Sequence, residues 1–85
     1  MSKDSEWARG LVARIKQARG RLGVTQAELA VRIGVNTFTV SRWERGETSP
    51  SFEQMCRLAR VCSVSLHWLG DLPHAGSAGG KEDPP

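Results

Sequence analysis

Apolar residues recur at steps of three and four along most of the chain, and no segment alternates apolar and polar residues long enough for a strand. The first stripe is Trp7, Leu11, Ile15, Ala18 and Leu22. It predicts a helix from Ser5 to Leu22, with Arg9, Lys16 and Arg19 turned mostly away from the apolar side. Gly23 ends that helix. Thr25 is an N-cap with Glu28 three residues on, a capping-box pattern that opens a short second helix ending at Gly34. Asn36 caps a third helix running to about Arg45, where Gly46 can take the left-handed conformation that closes a helix. Ser51 with Gln54 repeats the capping-box signal before a fourth helix, whose apolar positions are Phe52, Met55, Leu58, Ala59 and Cys62. Ser65 caps a last turn through Leu66, Trp68 and Leu69. The expected fold class is all-α: a compact bundle of about five short helices over residues 1–72.

From Pro73 the sequence reads PHAGSAGGKEDPP, with no large apolar residue. Such a segment cannot offset the entropy of ordering itself, so residues 73–85 are expected to be a flexible tail or the stub of a linker. A domain this small buries only roughly 60% of the surface its unfolded chain exposes, so a partner subunit would help it. The 85 residues carry a formal charge of +3. Because Lys81 faces both Glu82 and Asp83 in the tail, Met1 to Leu72 alone holds 11 basic and 7 acidic residues. Nine of the twelve basic residues are arginine, whose planar fork suits phosphates and guanine edges better than the point charge of lysine.

Between Thr25 and Gly46, TQAELAVRIGVNTFTVSRWERG reads as two short helices joined by a glycine-containing turn. Two helices at a steep angle can lay the second into a DNA major groove while the first crosses the backbone. Residue sizes follow from close approach. Ala30 faces the crossing, Gly34 permits a positive φ, and Leu29, Ile33, Val35, Val40 and Trp43 supply the apolar contacts. Catalytic readings fare badly, since His67 and His74 are the only histidines and no Ser-His-Asp set, phosphate loop or carboxylate pair can be built around them. Cys62 with His67 lacks the second pair of ligands that a zinc site needs, so neither metal nor cofactor is expected. Cys56 and Cys62 point to different faces of one helix and suit a reducing compartment. No apolar run approaches the roughly 18 residues of a membrane span, and MSKDSEWARG lacks a signal peptide's hydrophobic stretch. A cytoplasmic protein with no membrane association is the expectation.

The string Thr25 to Gly46, the following proline, the helix from Ser51 to Val61 and then VSLHWL together resemble the lambda repressor-like helix-turn-helix family of phage and bacterial transcription regulators. The resemblance covers roughly residues 9 to 70. It rests on Gln26 at the start of the second helix, Ala30 and Gly34 at their offsets, and WERG closing the third. It implies a regulator of double-stranded DNA, a repressor acting as a homodimer on an inverted repeat. By that resemblance Thr37, Phe38 and Arg42 are base-reading positions, and Gln26 sits against a phosphate while bracing the recognition helix. Asn36, Ser41 and Arg45 are placed to contact phosphates. Arg19 and Glu44 match a family pair that forms an internal ion pair. Leu66, Leu69 and Trp7 are the dimer-interface candidates. Glu47 departs from the family, which often has lysine or arginine near phosphate there; Arg14 or Arg21 would compensate. An antitoxin, with its toxin as partner, and a restriction-system controller use the same fold. Phe38 and Glu47 also motivate a protein-interaction module that has lost DNA contact.

Overall fold

A computed structural model describes residues 3–71, with side chains described from Glu6 onward. The segment from residue 72 to 85, where the tail is expected, lies outside the described residues. Five helices follow in order: α1 (Lys3–Leu22), α2 (Gln26–Ile33), α3 (Thr37–Glu44), α4 (Phe52–Cys62) and α5 (Leu66–Gly70). There is no strand among the described residues. α1 begins two residues before the position that the apolar stripe indicates.

Local chemistry sets most boundaries. The Thr25 hydroxyl accepts from the Glu28 backbone N–H while the Glu28 carboxylate accepts from Thr25 N–H. Ser51 and Gln54 make the same reciprocal pair at the start of α4. Asn36 Oδ1 accepts from Phe38 N–H at 2.7 Å, and Ser65 Oγ from Trp68 N–H at 2.9 Å. Each cap satisfies a backbone donor that the first helical turn leaves unpaired. Gly34 ends α2 at φ 86°, and both Gly34 N–H and Val35 N–H donate to the Ala30 carbonyl. Only three residues then separate α2 from α3. Arg57 on α4 adds a contact that spacing does not reveal, donating to the Ile33 carbonyl at 3.1 Å and so capping α2 from outside. α4 ends without a glycine: Ser63 takes the left-handed conformation at φ 58°.

The core is one cluster drawn from all five helices. Leu11 and Ile15 of α1 meet Leu29, Ala30 and Ile33 of α2, Val40 and Trp43 of α3, Met55, Leu58 and Ala59 of α4, and Leu69 of α5. Trp43 is its largest fully buried side chain. Two expectations are corrected here. Phe52, placed in the apolar stripe of α4, is the first residue of that helix and is 74% exposed. Leu69, a dimer-interface candidate, is fully buried in the core and has no surface to offer a partner.

Glycine substitutions test this backbone in opposite directions. Gly34→Ala forces alanine into the left-handed region and should cost about 1–2 kcal/mol. At Gly20, inside α1 with nothing within 4 Å of an added Cβ, alanine should stabilise by about 0.5–1 kcal/mol. Urea unfolding of both variants measures the two signs.

Candidate nucleic-acid interface

The eight residues of α3 divide between buried and exposed positions. Val40, Trp43 and Glu44 are buried, whereas Thr37, Phe38 and Arg42 are exposed. Phe38 and Arg42, four residues apart, share one side of the helix, and Thr37 is exposed at its first residue. Phe38 is 71% exposed, so its ring is a surface group and not a core contact. The Arg42 side chain is exposed, and the nearby Glu47 carboxylate feels its charge through space.

What aims this surface is a buried carboxylate at the last residue of α3. Glu44 accepts from Arg19 through both oxygens, from Nε at 2.7 Å and from a terminal guanidinium nitrogen at 2.9 Å. Gln26 Nε2 donates to the same carboxylate at 3.0 Å. The remaining Arg19 nitrogen donates to the Val24 carbonyl. One acid thus joins the end of α1, the loop after it, the start of α2 and the end of α3. Burial pushes the Glu44 carboxyl up, but the hydrogen bonds from Arg19 and Gln26, with the charges of Arg19 and Lys16, outweigh it and hold the group below the usual carboxylate range. The Gln26 amide is engaged in this brace at the head of α2.

The other polar positions are also engaged within the protein. Asn36 spends its side-chain oxygen on the α3 cap. Arg45 donates to the Ser41 hydroxyl and forms a two-point pair with Glu47, at 2.8 and 3.2 Å. That pair is solvent-exposed on both sides, and Arg45 lowers the Glu47 carboxyl's pKa through its hydrogen bond. Arg14 does not compensate for Glu47. Its Nε donates to the Leu69 carbonyl at 2.8 Å, which commits the side chain to the joint between α1 and α5. Arg21 is exposed near the end of α1. Trp7 is 40% exposed, its indole N–H donating to the Gly70 carbonyl at 2.7 Å. Leu66 is half-buried. Sequence spacing misses the Arg45–Glu47 pair, although an arginine and an acid two residues apart across Gly46 are its visible signal. No helix is long and apolar enough to cross a membrane among the described residues.

Two short packed helices joined by a three-residue turn, the second braced and carrying exposed polar and aromatic residues, define a helix-turn-helix domain. A family profile described as helix-turn-helix matches residues 15–69, and the chain belongs to that family, in its lambda repressor-like branch. It is 36% identical over 67 residues to the repressor protein C2 of Salmonella phage P22, covering 76% of this chain and 31% of that protein. It is 37% identical over 71 residues to the transcriptional regulator SinR of Bacillus subtilis, covering 82% of this chain and 64% of SinR. The chain therefore spans less than two thirds of either relative. The solution structure of the DNA-binding domain of the P22 C2 repressor superposes with a TM-score of 0.67 at 35% identity, covering 75% of this chain and 87% of that domain.

The depressed Glu44 carboxyl makes stability depend on acid. Its contribution is complete above the unfolded-state value near 4.5 and is lost as pH falls through the lower folded value, because protonation then breaks the pair. Thermal midpoints of the protein should fall on acidification below the unfolded-state value near 4.5 by more than those of Glu44→Gln, which lacks this titration. At neutral pH, Glu44→Ala should cost about 3 kcal/mol, since it strands a partly buried guanidinium.

Proposed function

We propose that the protein is a sequence-specific double-stranded DNA-binding transcriptional regulator, a repressor that binds an inverted-repeat operator as a homodimer. The observation that carries this reading is the exposure of Thr37, Phe38 and Arg42 on a helix whose last residue, Glu44, is held by Arg19. Arg42 donates to O6 and N7 of a guanine, a pairing worth about 1–3 kcal/mol of discrimination. Phe38 lies against a thymine methyl or reads the shape of a base step. Thr37, in the first turn of α3, touches a further base edge. Gln26, Asn36, Ser41 and Arg45 contact phosphates at the ends of α2 and α3, with Arg45 exchanging Glu47 for the backbone. The repressor name of the phage P22 relative supports the regulatory part of the reading. The protein acts by binding and not by turnover, with DNA as its principal partner.

An eight-residue recognition helix reaches few base pairs, and pairing two half-sites about 34–36 Å apart multiplies its selectivity. A surface for the second copy lies on α1, α4 and α5, where Trp7, Pro50, Phe52, Met55, Leu66 and Gly70 line an apolar cleft of about 200 Å3. A two-fold interface presents the same patch twice, so an exposed ring beside a cleft is self-complementary. Phe52 takes the place of Leu69 among the interface residues, alongside Leu66 and Trp7.

The Arg45–Glu47 pair and the apolar Phe38 favour a second reading, a protein-interaction module of the same fold without DNA contact. Complete absence of binding to random duplex at about 50 mM salt would support it. Selection from a random duplex library should instead yield an inverted repeat whose spacing gives the dimer geometry. On that duplex, Arg42→Ala should relax preference at one base pair, whereas Arg45→Ala weakens all sequences alike. Glu47→Gln should tighten all sequences, because it frees Arg45 for phosphate. Equal loss on every sequence for Arg42→Ala removes its assigned role. Sedimentation equilibrium should show Phe52→Ser shifting the protein toward monomer without lowering its melting temperature.

A further inference from the structure

The recognition helix packs mainly on α1 and α2, and α5 mainly on α1 and α4, so among the described residues α1 is the helix common to both. It runs unbroken from Lys3 to Leu22. Near its C-terminal end Arg19 holds Glu44, the last residue of α3. Toward its N-terminal end two further side chains hold α5. Trp7 Nε1 donates to the Gly70 carbonyl at 2.7 Å, and Arg14 Nε to the Leu69 carbonyl at 2.8 Å. These are the last two carbonyls of a five-residue helix, which the helix itself leaves unpaired.

The surroundings of Arg14 are shaped to this contact. The place of the missing Gly10 Cβ lies 2.9 Å from Arg14 Nη1, so a larger residue at Gly10 would displace the guanidinium. Arg14 Nη2 is buried with no acceptor among the described residues. Burial of an unmet donor is unfavourable, and the Leu69 carbonyl is the acceptor that holds the group there. Trp7 and Gly70 also line the apolar cleft offered to a second copy. A clasp on the end of α5 is thus a clasp on the walls of that cleft. Trp7 and Arg19 stand twelve residues apart, about 18 Å along the helix.

Resting on the inverted-repeat homodimer reading above, we propose that Arg14 and Trp7 are positioning residues that set the spacing of the two half-sites. They fix α5 and the dimer cleft on the same helix whose other end fixes α3. The separation of the two recognition helices in the dimer is then transmitted through α1 of each copy. The clasp touches no base. It governs how far apart the half-sites are read, and leaves base preference within each half-site to Thr37, Phe38 and Arg42.

The test is a fluorescence-anisotropy titration of the selected inverted repeat and of versions with one base pair added to or removed from its centre. Each change moves the half-sites by about 3.4 Å and turns them by about 35°. The full chain is compared with Arg14→Met, Arg14→Gln and Trp7→Phe at a temperature where all are folded. Methionine matches the arginine stem but cannot donate, whereas glutamine places an amide nitrogen where Arg14 Nε stands. The wild type should bind the altered spacings more weakly than the selected one. Arg14→Met should reduce that penalty by about tenfold, the equilibrium equivalent of one hydrogen bond from a charged donor. Trp7→Phe, which keeps a ring in the cleft and loses the N–H, should reduce it too, and Arg14→Gln should restore it. Base changes within a half-site should cost every variant what they cost the wild type. A wild-type penalty in Arg14→Met or in Trp7→Phe overturns the role of the residue changed, and equal loss in Arg14→Met and Arg14→Gln overturns the hydrogen bond as its cause. Base preference lost together with spacing marks a loosened fold and overturns the proposal, as does a wild type indifferent to spacing. A wild type that binds single half-sites as a monomer, or no duplex at about 50 mM salt, overturns the homodimer or the DNA-binding reading itself, and the spacing role with it.

Discussion

The orientation of the recognition helix depends on the Glu44 carboxylate. An isolated buried acid would be costly, and a buried pair gains little unless its remaining lone pairs are satisfied. Here both oxygens are engaged by Arg19 and one also by Gln26. The carboxylate consequently joins three helices through directional contacts, where the apolar core alone would permit small rotations. Apolar packing holds α2 and α3 together. The brace determines how α3 points.

That arrangement separates two kinds of residue within eight positions. Val40, Trp43 and Glu44 face inward, and substitutions there act on the whole fold. Thr37, Phe38 and Arg42 face solvent, and their exposure makes them nearly neutral for stability. Phe38 is the exception in character, because an aromatic ring held in water is an unfavourable surface that contact with another apolar group relieves. Around them, Arg45 is restrained by Ser41 and Glu47, so the basic end of α3 is weaker in the free protein than its residue count suggests.

Much of the architecture is legible in the sequence because its signals are local. Thr25 with Glu28, Ser51 with Gln54, Asn36 and Ser65 are caps whose partners lie two or three residues away. Gly23, Gly34 and Gly46 mark positive φ directly. The family resemblance made one long-range pairing legible, Arg19 with Glu44, but not Arg14 reaching Leu69 or Arg57 reaching Ile33, which join residues 55 and 24 positions apart. The end of α4 at Ser63 carries no glycine to announce it. Phe52 and Leu69 show the limit of periodicity, which ranks residues by the side of a helix and not by what lies above that side. Among the site residues, the shared side of Phe38 and Arg42 follows from helical spacing. The occupation of Arg45 by Glu47 required three-dimensional placement.

The shortness of α2 and α3 has a thermodynamic consequence. Helices of eight residues lie well below the roughly 12–15 at which an isolated helix becomes even marginal in water. They exist because the rest of the domain holds them, so the surface that α3 presents vanishes with the fold in one cooperative step. A ligand gripping that surface stabilises the whole domain by mass action. Warming that depletes the folded population therefore depletes, in equal measure, the population in which α3 is formed.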